Sequence, residues 1–224
     1  MSLIQVLKDI EARIPIYEMR KIDSAFSGIY TKNKLVSVVS SKYILIQSRE
    51  IFREALESFK HFNILRHTIR TNLKRHYLYL RMEEPPYSQK VMAILINSVD
   101  RSNALKILLG VYEKDCGNDM VVLSFLYIKH IGRLDNKPLP KIGVESIFSK
   151  YDYLKRLPNP LDEDNIEKLH INKIIYLTEE RKKELLRMEN ALDVYRYITT
   201  EMSKKYNIAY FEKLNYLYNF LIKP

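Results

Sequence analysis

Along most of the chain the apolar positions recur at three- and four-residue steps, the spacing of one face of an α-helix. Residues 2–13 place Leu3, Ile4, Leu7 and Ile10 on one side, with Ser2 as an N-cap and Pro15 as a stop. From Arg49 the spacing resumes through Ile51, Phe52, Ala55, Leu56 and Phe59. It continues through Ile64, Leu65, Ile69, Leu73, Tyr77 and Leu80 up to Pro85-Pro86, which predicts a helical segment over 49–82. Val91, Ile94 and Leu95, then Ala104, Leu105, Leu108 and Leu109, predict two further helices around 100–103. Residues 120–128 are apolar almost all round, so a helix over 119–131 is expected at the centre of the domain, with Leu123, Phe125, Leu126 and Tyr127 in the core.

Residues 34–47 have strand-like composition without clean alternation and stay open between the two readings. Gly132 is a helix stop, while 135–143 and 158–164, each holding two prolines, are expected as loops. Thr178-Glu179-Glu180 opens a long helix with a cap and two acids in its first turn. A last helix carries Ile208, Phe211, Leu214, Leu217, Tyr218 and Leu221 on one stripe. The expected fold class is all-α. A single compact multi-helix domain would occupy 1–177, followed by a helical C-terminal extension over 178–224, with at most a short strand pair near 34–47.

Composition narrows the function. The 224 residues are 46% hydrophobic and 29% charged, a globular balance. The five glycines are too few for a dinucleotide or P-loop cradle, which needs them for tight turns against phosphate. One cysteine, Cys116, excludes an intramolecular disulfide and suits a reducing compartment. Residues 1–14 mix charges into the apolar pattern and resemble neither a signal nor a transit peptide. No uninterrupted apolar stretch reaches membrane-span length, so no membrane partner is expected. The net charge of +10 favours a polyanionic partner.

Candidate chemistry is sparse. The histidines at 61, 67, 76, 130 and 170 lack metal-ligand spacing, Cys116 has no base beside it, and Asp162-Glu163-Asp164 reads as a solvated turn. Neither a cofactor nor a small-molecule substrate is expected, and the chain reads as a docking protein, not an enzyme. The informative charge feature is 58–82, with six Lys/Arg residues and no Asp or Glu. Lys60, Arg66, Arg70, Lys74, Arg75 and Tyr77 are its candidate contacts to RNA or an acidic partner, with Arg66, Arg70 and Lys74 along one helical edge. An ordinary solvated helix face explains the charges equally well.

The stretch from Pro85 to Ile175 resembles the pre-mRNA-splicing factor 38 family. Pro86-Tyr87 is similar to its proline-aromatic helix start, Phe125-Leu126-Tyr127-Ile128-Lys129 to the end of its buried helix, and Leu169-His170-Ile171 to a later helix start. Glu145, Phe148, Tyr151, Leu154, Lys155 and Arg156 keep the spacing of its signature, with Ser146 and Lys150 departing from the pattern. The resemblance implies a small all-helical, non-enzymatic spliceosome component. Its location would be nuclear, its partners other tri-snRNP proteins with snRNA as a further candidate, and its role a docking scaffold for spliceosome activation. Glu145, Phe148, Tyr151, Lys155 and Arg156 would be its docking residues. The alternative is a helical RNA- or DNA-binding accessory factor of another ribonucleoprotein or replication assembly.

Overall fold

The computed structural model describes residues 2–84, 89–112, 119–130, 145–171, 174–202 and 208–223. It overturns the all-α expectation. Two antiparallel sheets, of three and five strands, accompany seven helices among the described residues. The chain divides into two compact units, residues 1–108 with 124–142, and residues 109–123 with 143–224. The expected boundary at 177/178 falls inside the second unit. No described helix is long and apolar enough to cross a membrane.

The first unit opens with α1 (Leu3–Arg13), as its amphipathic spacing predicts, and the Ser2 hydroxyl accepts from Gln5 N at 3.3 Å. Strands β1 (Glu18–Lys21), β2 (Phe26–Thr31) and β3 (Lys34–Ser40) form the three-stranded sheet in that order, so residues 34–40 of the open stretch are a single strand and 41–47 are irregular, in place of a strand pair. Lys32 and Asn33 turn the β2–β3 hairpin at φ 45° and 62°, left-handed conformations reached here without glycine. Tyr17, Ile29, Val36, Val39, Tyr43 and Val99 form a core cluster against this sheet. Helix α2 (Ser48–Glu57) buries Phe52, Ala55 and Leu56. Arg49 on it ties down the end of α1, donating to the carbonyl of Ile14 through Nε at 3.0 Å and to that of Glu11 at 2.7 Å.

Beyond α2 the helical expectation fails. Strands β4 (Asn63–Thr71), β5 (Arg75–Glu84), β6 (Gln89–Ser98), β7 (Leu105–Tyr112) and β8 (Asp119–Ile128) form a meander in chain order. They replace the helices expected over 58–82, around 91–95, around 104–109 and over 119–131. The physical reason lies in burial. Val91 through Val99 are buried without a break, so both faces of β6 are covered and no alternation shows in the sequence. Of the expected core of the lost central helix, the side chains of Leu123, Phe125 and Leu126 lie outside the described residues. Tyr127 is no core residue at all: it is 56% exposed, with the Lys106 ammonium over its ring.

The β4–β5 turn is set by Asn72, whose Oδ1 accepts from the N–H groups of Lys74 and Arg75, both at 2.8 Å. Upstream, the pairing slips between Ile64 and Arg66: Ile64 faces Met82, yet Arg66 faces Arg81. Leu65 is the extra residue of a β-bulge. Ile64 and Ile69 are buried, whereas Arg66 and Arg70 stand exposed. The inner face of β4 meets α1, where His67 Nε2 lies 2.7 Å from Asp9 Oδ2.

The second unit is helical apart from its strand segments. Helix α3 (Glu145–Arg156) forms as expected, with Lys155 and Arg156 in its last turn. Residues 158–164 are irregular, as their prolines predict, and α4 (Glu167–Ile171) follows. Helix α5 (Glu179–Leu186) starts where Thr178 predicts, the hydroxyl accepting from Arg181 N at 3.3 Å, but it runs only 8 residues. Helix α6 (Ala191–Met202) then packs on α3 and on α7 (Ile208–Leu221), burying Tyr195, Ile198, Leu214 and Leu217.

Candidate nucleic-acid interface

The strand β5 alternates strictly. His76, Leu78, Leu80 and Met82 are buried on its inner face, while Arg75, Tyr77, Tyr79 and Arg81 occupy the outer one. Pairing with β4 completes that outer face: Arg66 stands opposite Arg81, Thr68 opposite Tyr79, and Arg70 opposite Tyr77. Two arginines directly opposite each other repel, and cross-strand pairs of like charge weaken a hairpin. Arg81 is turned onto its strand neighbour, with Nε donating to the Tyr79 hydroxyl at 2.7 Å and the guanidinium 5.6 Å from the ring centroid. Among the described residues no carboxylate pairs with Arg66, Arg70 or Lys74, all three of which are exposed. Glu83 takes the next outward position of β5 after Arg81, opposite Lys90.

Arg75 plays a different part. Its Nε donates to Ser102 Oγ at 2.8 Å in the β6–β7 loop, next to Asp100. Burial pushes the Asp100 carboxyl up, but hydrogen bonds from Ser102 and the charge of Arg75 outweigh it and hold the group below its ordinary value. Arg75 is therefore partly neutralised and closes the face. Burial, opposed in part by Arg75, raises the Tyr77 hydroxyl above its usual value, so it stays neutral at physiological pH.

The inner face stiffens this platform. The hydroxyl of Tyr17 lies 2.9 Å from His76 Nε2 and donates to the Leu73 carbonyl at 3.0 Å. Asn97, paired with His76 across the sheet, donates to Ile46 O and Ser48 Oγ at 2.9 Å each. A second buried pair sets Tyr43 OH 3.0 Å from His130 Nδ1, with the rings stacked. Burial lowers His76 to about 4 and depresses His130 as well, so both rings are neutral at pH 7. These pairs are sealed inside the unit, where they fix geometry. Among the described residues no group of three or more His, Cys, Asp or Glu is placed to hold a metal ion.

Of the residues singled out in the sequence, Arg66, Arg70 and Tyr77 come together on one face. Lys74 sits in the adjoining turn, Arg75 is engaged by the loop, and Lys60 lies in the turn before β4, apart from the face. The helical edge expected for Arg66, Arg70 and Lys74 does not exist, yet a step of four also returns to the same side of a strand. Thr68, Tyr79 and Arg81 were not among the candidate contacts. The alternation of Arg75-His76-Tyr77-Leu78-Tyr79-Leu80-Arg81-Met82 is the signal that identifies them.

The expected docking residues lie on α3 in the second unit. Phe148 is half-buried, and the Tyr151 hydroxyl accepts from Arg196 on α6 at 3.0 Å, which turns it inward to its own bundle. Lys155 and Arg156 are exposed, and the side chain of Glu145 lies outside the described residues. No protein-family model, no curated protein and no solved structure matches this chain.

Proposed function

We propose that this protein is a non-catalytic nucleic-acid-binding module that docks through the outer face of the β4–β5 hairpin. One observation carries the reading: Arg66, Arg70 and Lys74 are exposed on and beside this face with no carboxylate paired to them among the described residues, and Arg66 lies directly opposite Arg81. Keeping like charges together costs the folded chain stability, and a row of phosphates offsets that cost when it binds. The net charge of +10 adds long-range attraction to the same class of partner.

The spliceosomal role implied by the sequence resemblance, with its nuclear location and tri-snRNP partners, rests on an all-helical domain. Strands occupy 89–98, 105–112 and 119–128, where that resemblance implies helices, although its signature over 145–156 is helical, and this role is not proposed.

The reading is tested by measuring oligonucleotide binding across a salt series for the native protein and an Arg66→Gln/Arg70→Gln variant. Each phosphate neutralised contributes about 0.7 to the slope of log affinity against log salt for a single strand and about 0.9 for duplex DNA. The double variant should therefore flatten the slope by about 1.4 to 1.8. An unchanged slope and affinity would return these arginines to an ordinary solvated surface.

A further inference from the structure

Building on that reading, we infer that the nucleic acid is single-stranded, and that about five of its nucleotides lie along the hairpin with bases stacked at Tyr77 and Tyr79. Three features of the fold carry this.

The first is width. A duplex major groove is about 12 Å wide and admits one helix or a free two-stranded ribbon. The β4–β5 hairpin is no free ribbon, because β5 pairs along its whole length with β6 inside a five-stranded sheet. At about 4.8 Å between strands, five strands span ~19 Å before side chains are counted. The tyrosines stand on β5, one strand in from the sheet edge, and β6 beside them is already covered on both faces, so a groove cannot close around the hairpin from that side. A duplex can meet this surface only through its outer phosphates.

The second is the chemistry between the cations. In a duplex the flat faces of the bases are covered by one another. Only a single strand offers them to aromatic side chains. Tyr77 and Tyr79 alternate along β5 with cross-strand partners Arg70 and Thr68, so each ring has a cation or hydroxyl on the neighbouring strand. The Arg81 contact holds Tyr79 in place before any ligand arrives.

The third is length. From the Arg66–Arg81 pair to the Thr71–His76 pair the hairpin advances five residues. At about 3.4 Å per residue this is ~17 Å, which accommodates about five nucleotides at the 3.4 Å spacing of stacked bases. That lies at the low end of single-strand site sizes, about 4–16 nucleotides.

The experiment uses the full chain and fluorescently labelled homopolymer oligonucleotides of 3 to 12 nucleotides, in DNA and RNA versions, with a 12-base-pair duplex for comparison. The inference expects single strands to bind at least tenfold more tightly than the duplex, with affinity levelling off near five nucleotides. The DNA and RNA arms show which sugar the site prefers. Tyr79→Ala should weaken single-strand binding roughly 5- to 150-fold, the loss of one base stack, without altering the salt slope. Tyr79→Phe, which keeps the ring, should retain most of the affinity.

Equal or tighter duplex binding overturns the single-strand assignment, while loss of that binding in the double arginine variant leaves the nucleic-acid reading standing. Unchanged affinity in a folded Tyr79→Ala variant overturns the stacking. Should that variant not fold, the length series and the duplex comparison on the native protein decide the matter. If no oligonucleotide binds at low salt, both readings fall together.

Discussion

Acid should unfold the first unit through His76 before its carboxylates titrate. The ring is fully buried, with a folded-state value lowered by burial from 6.5 to about 4. A histidine depressed in this way contributes stability that is complete above the unfolded value and is lost as pH falls. The unfolded chain takes up the proton near 6.5, while the folded ring resists it down to about 4. That gap corresponds to about 3 kcal/mol in full, and to about 2 kcal/mol already at pH 5. His130 acts in the same direction. The carboxyls of Asp9 and Asp100 in the same unit are held below their ordinary values, so their losses come at lower pH. The perturbation is His76→Leu, which removes the titrating group while Tyr17 keeps its bond to the Leu73 carbonyl. Urea denaturation at pH 7.5 and pH 5 gives the unfolding free energy at each. The native protein should lose about 2 kcal/mol more between these conditions than the variant does. Tyr17→Phe should leave most of that difference intact, because burial and not the tyrosine hydrogen bond sets the shift. An identical pH dependence in native protein and His76→Leu would refute the reasoning.

Three further outcomes are expected. Leu78→Ala removes a fully buried side chain from β5 and should cost ~2–5 kcal/mol in denaturant unfolding, where a surface position would cost under about 0.5. Arg49→Ala orphans the carbonyls of Ile14 and Glu11 and should cost about 1.5–3 kcal/mol, with Arg49→Lys recovering only part because an ammonium lacks the forked donors. Replacing Lys32-Asn33 by Asn-Gly relieves two left-handed residues and should raise the thermal midpoint, by the equivalent of about 0.4–1 kcal/mol.

The helices that cap themselves were legible. Ser2 and Thr178 announce α1 and α5, and the apolar stripes of α2, α3 and α7 read correctly because each keeps one dry face and one wet face. The large sheet hid itself in two ways. Arg66 and Arg70 are four residues apart, a step that shares a side in a helix and in a strand alike. β6 is buried on both faces and offers no alternation. Scarce glycine then suppressed the turn signals that normally betray hairpins. Here the left-handed positions are filled by Lys32, Asn33 and Arg101, and the β4–β5 turn leans on the side chain of Asn72. For the candidate site the charges were legible and their surface was not. Which cations face each other is a matter of pairing register, which composition does not record. Only the alternation across 75–82 carried that information locally.

The bulge at Leu65 makes the polarity of this hairpin a matter of counting. Ile64 is buried, and in an unbroken strand every second residue after it would be buried too, taking Arg66, Thr68 and Arg70 inward and turning His67 and Ile69 out. The one surplus residue reverses that parity for the rest of β4. Deleting Leu65 would seat Arg66 directly after Ile64, as their partners Arg81 and Met82 are already consecutive, so the ladder would run unbroken with Ile64 inside and the arginines still outside. Straightening the strand with Leu65 still in place is the costly change, because it has to lift Ile64 into water or draw two guanidinium groups into the core. A substitution anywhere on this face removes one contact, whereas loss of the bulge with all residues kept puts the whole face at stake. The face therefore depends on where its surplus residue is absorbed as much as on how many arginines it carries.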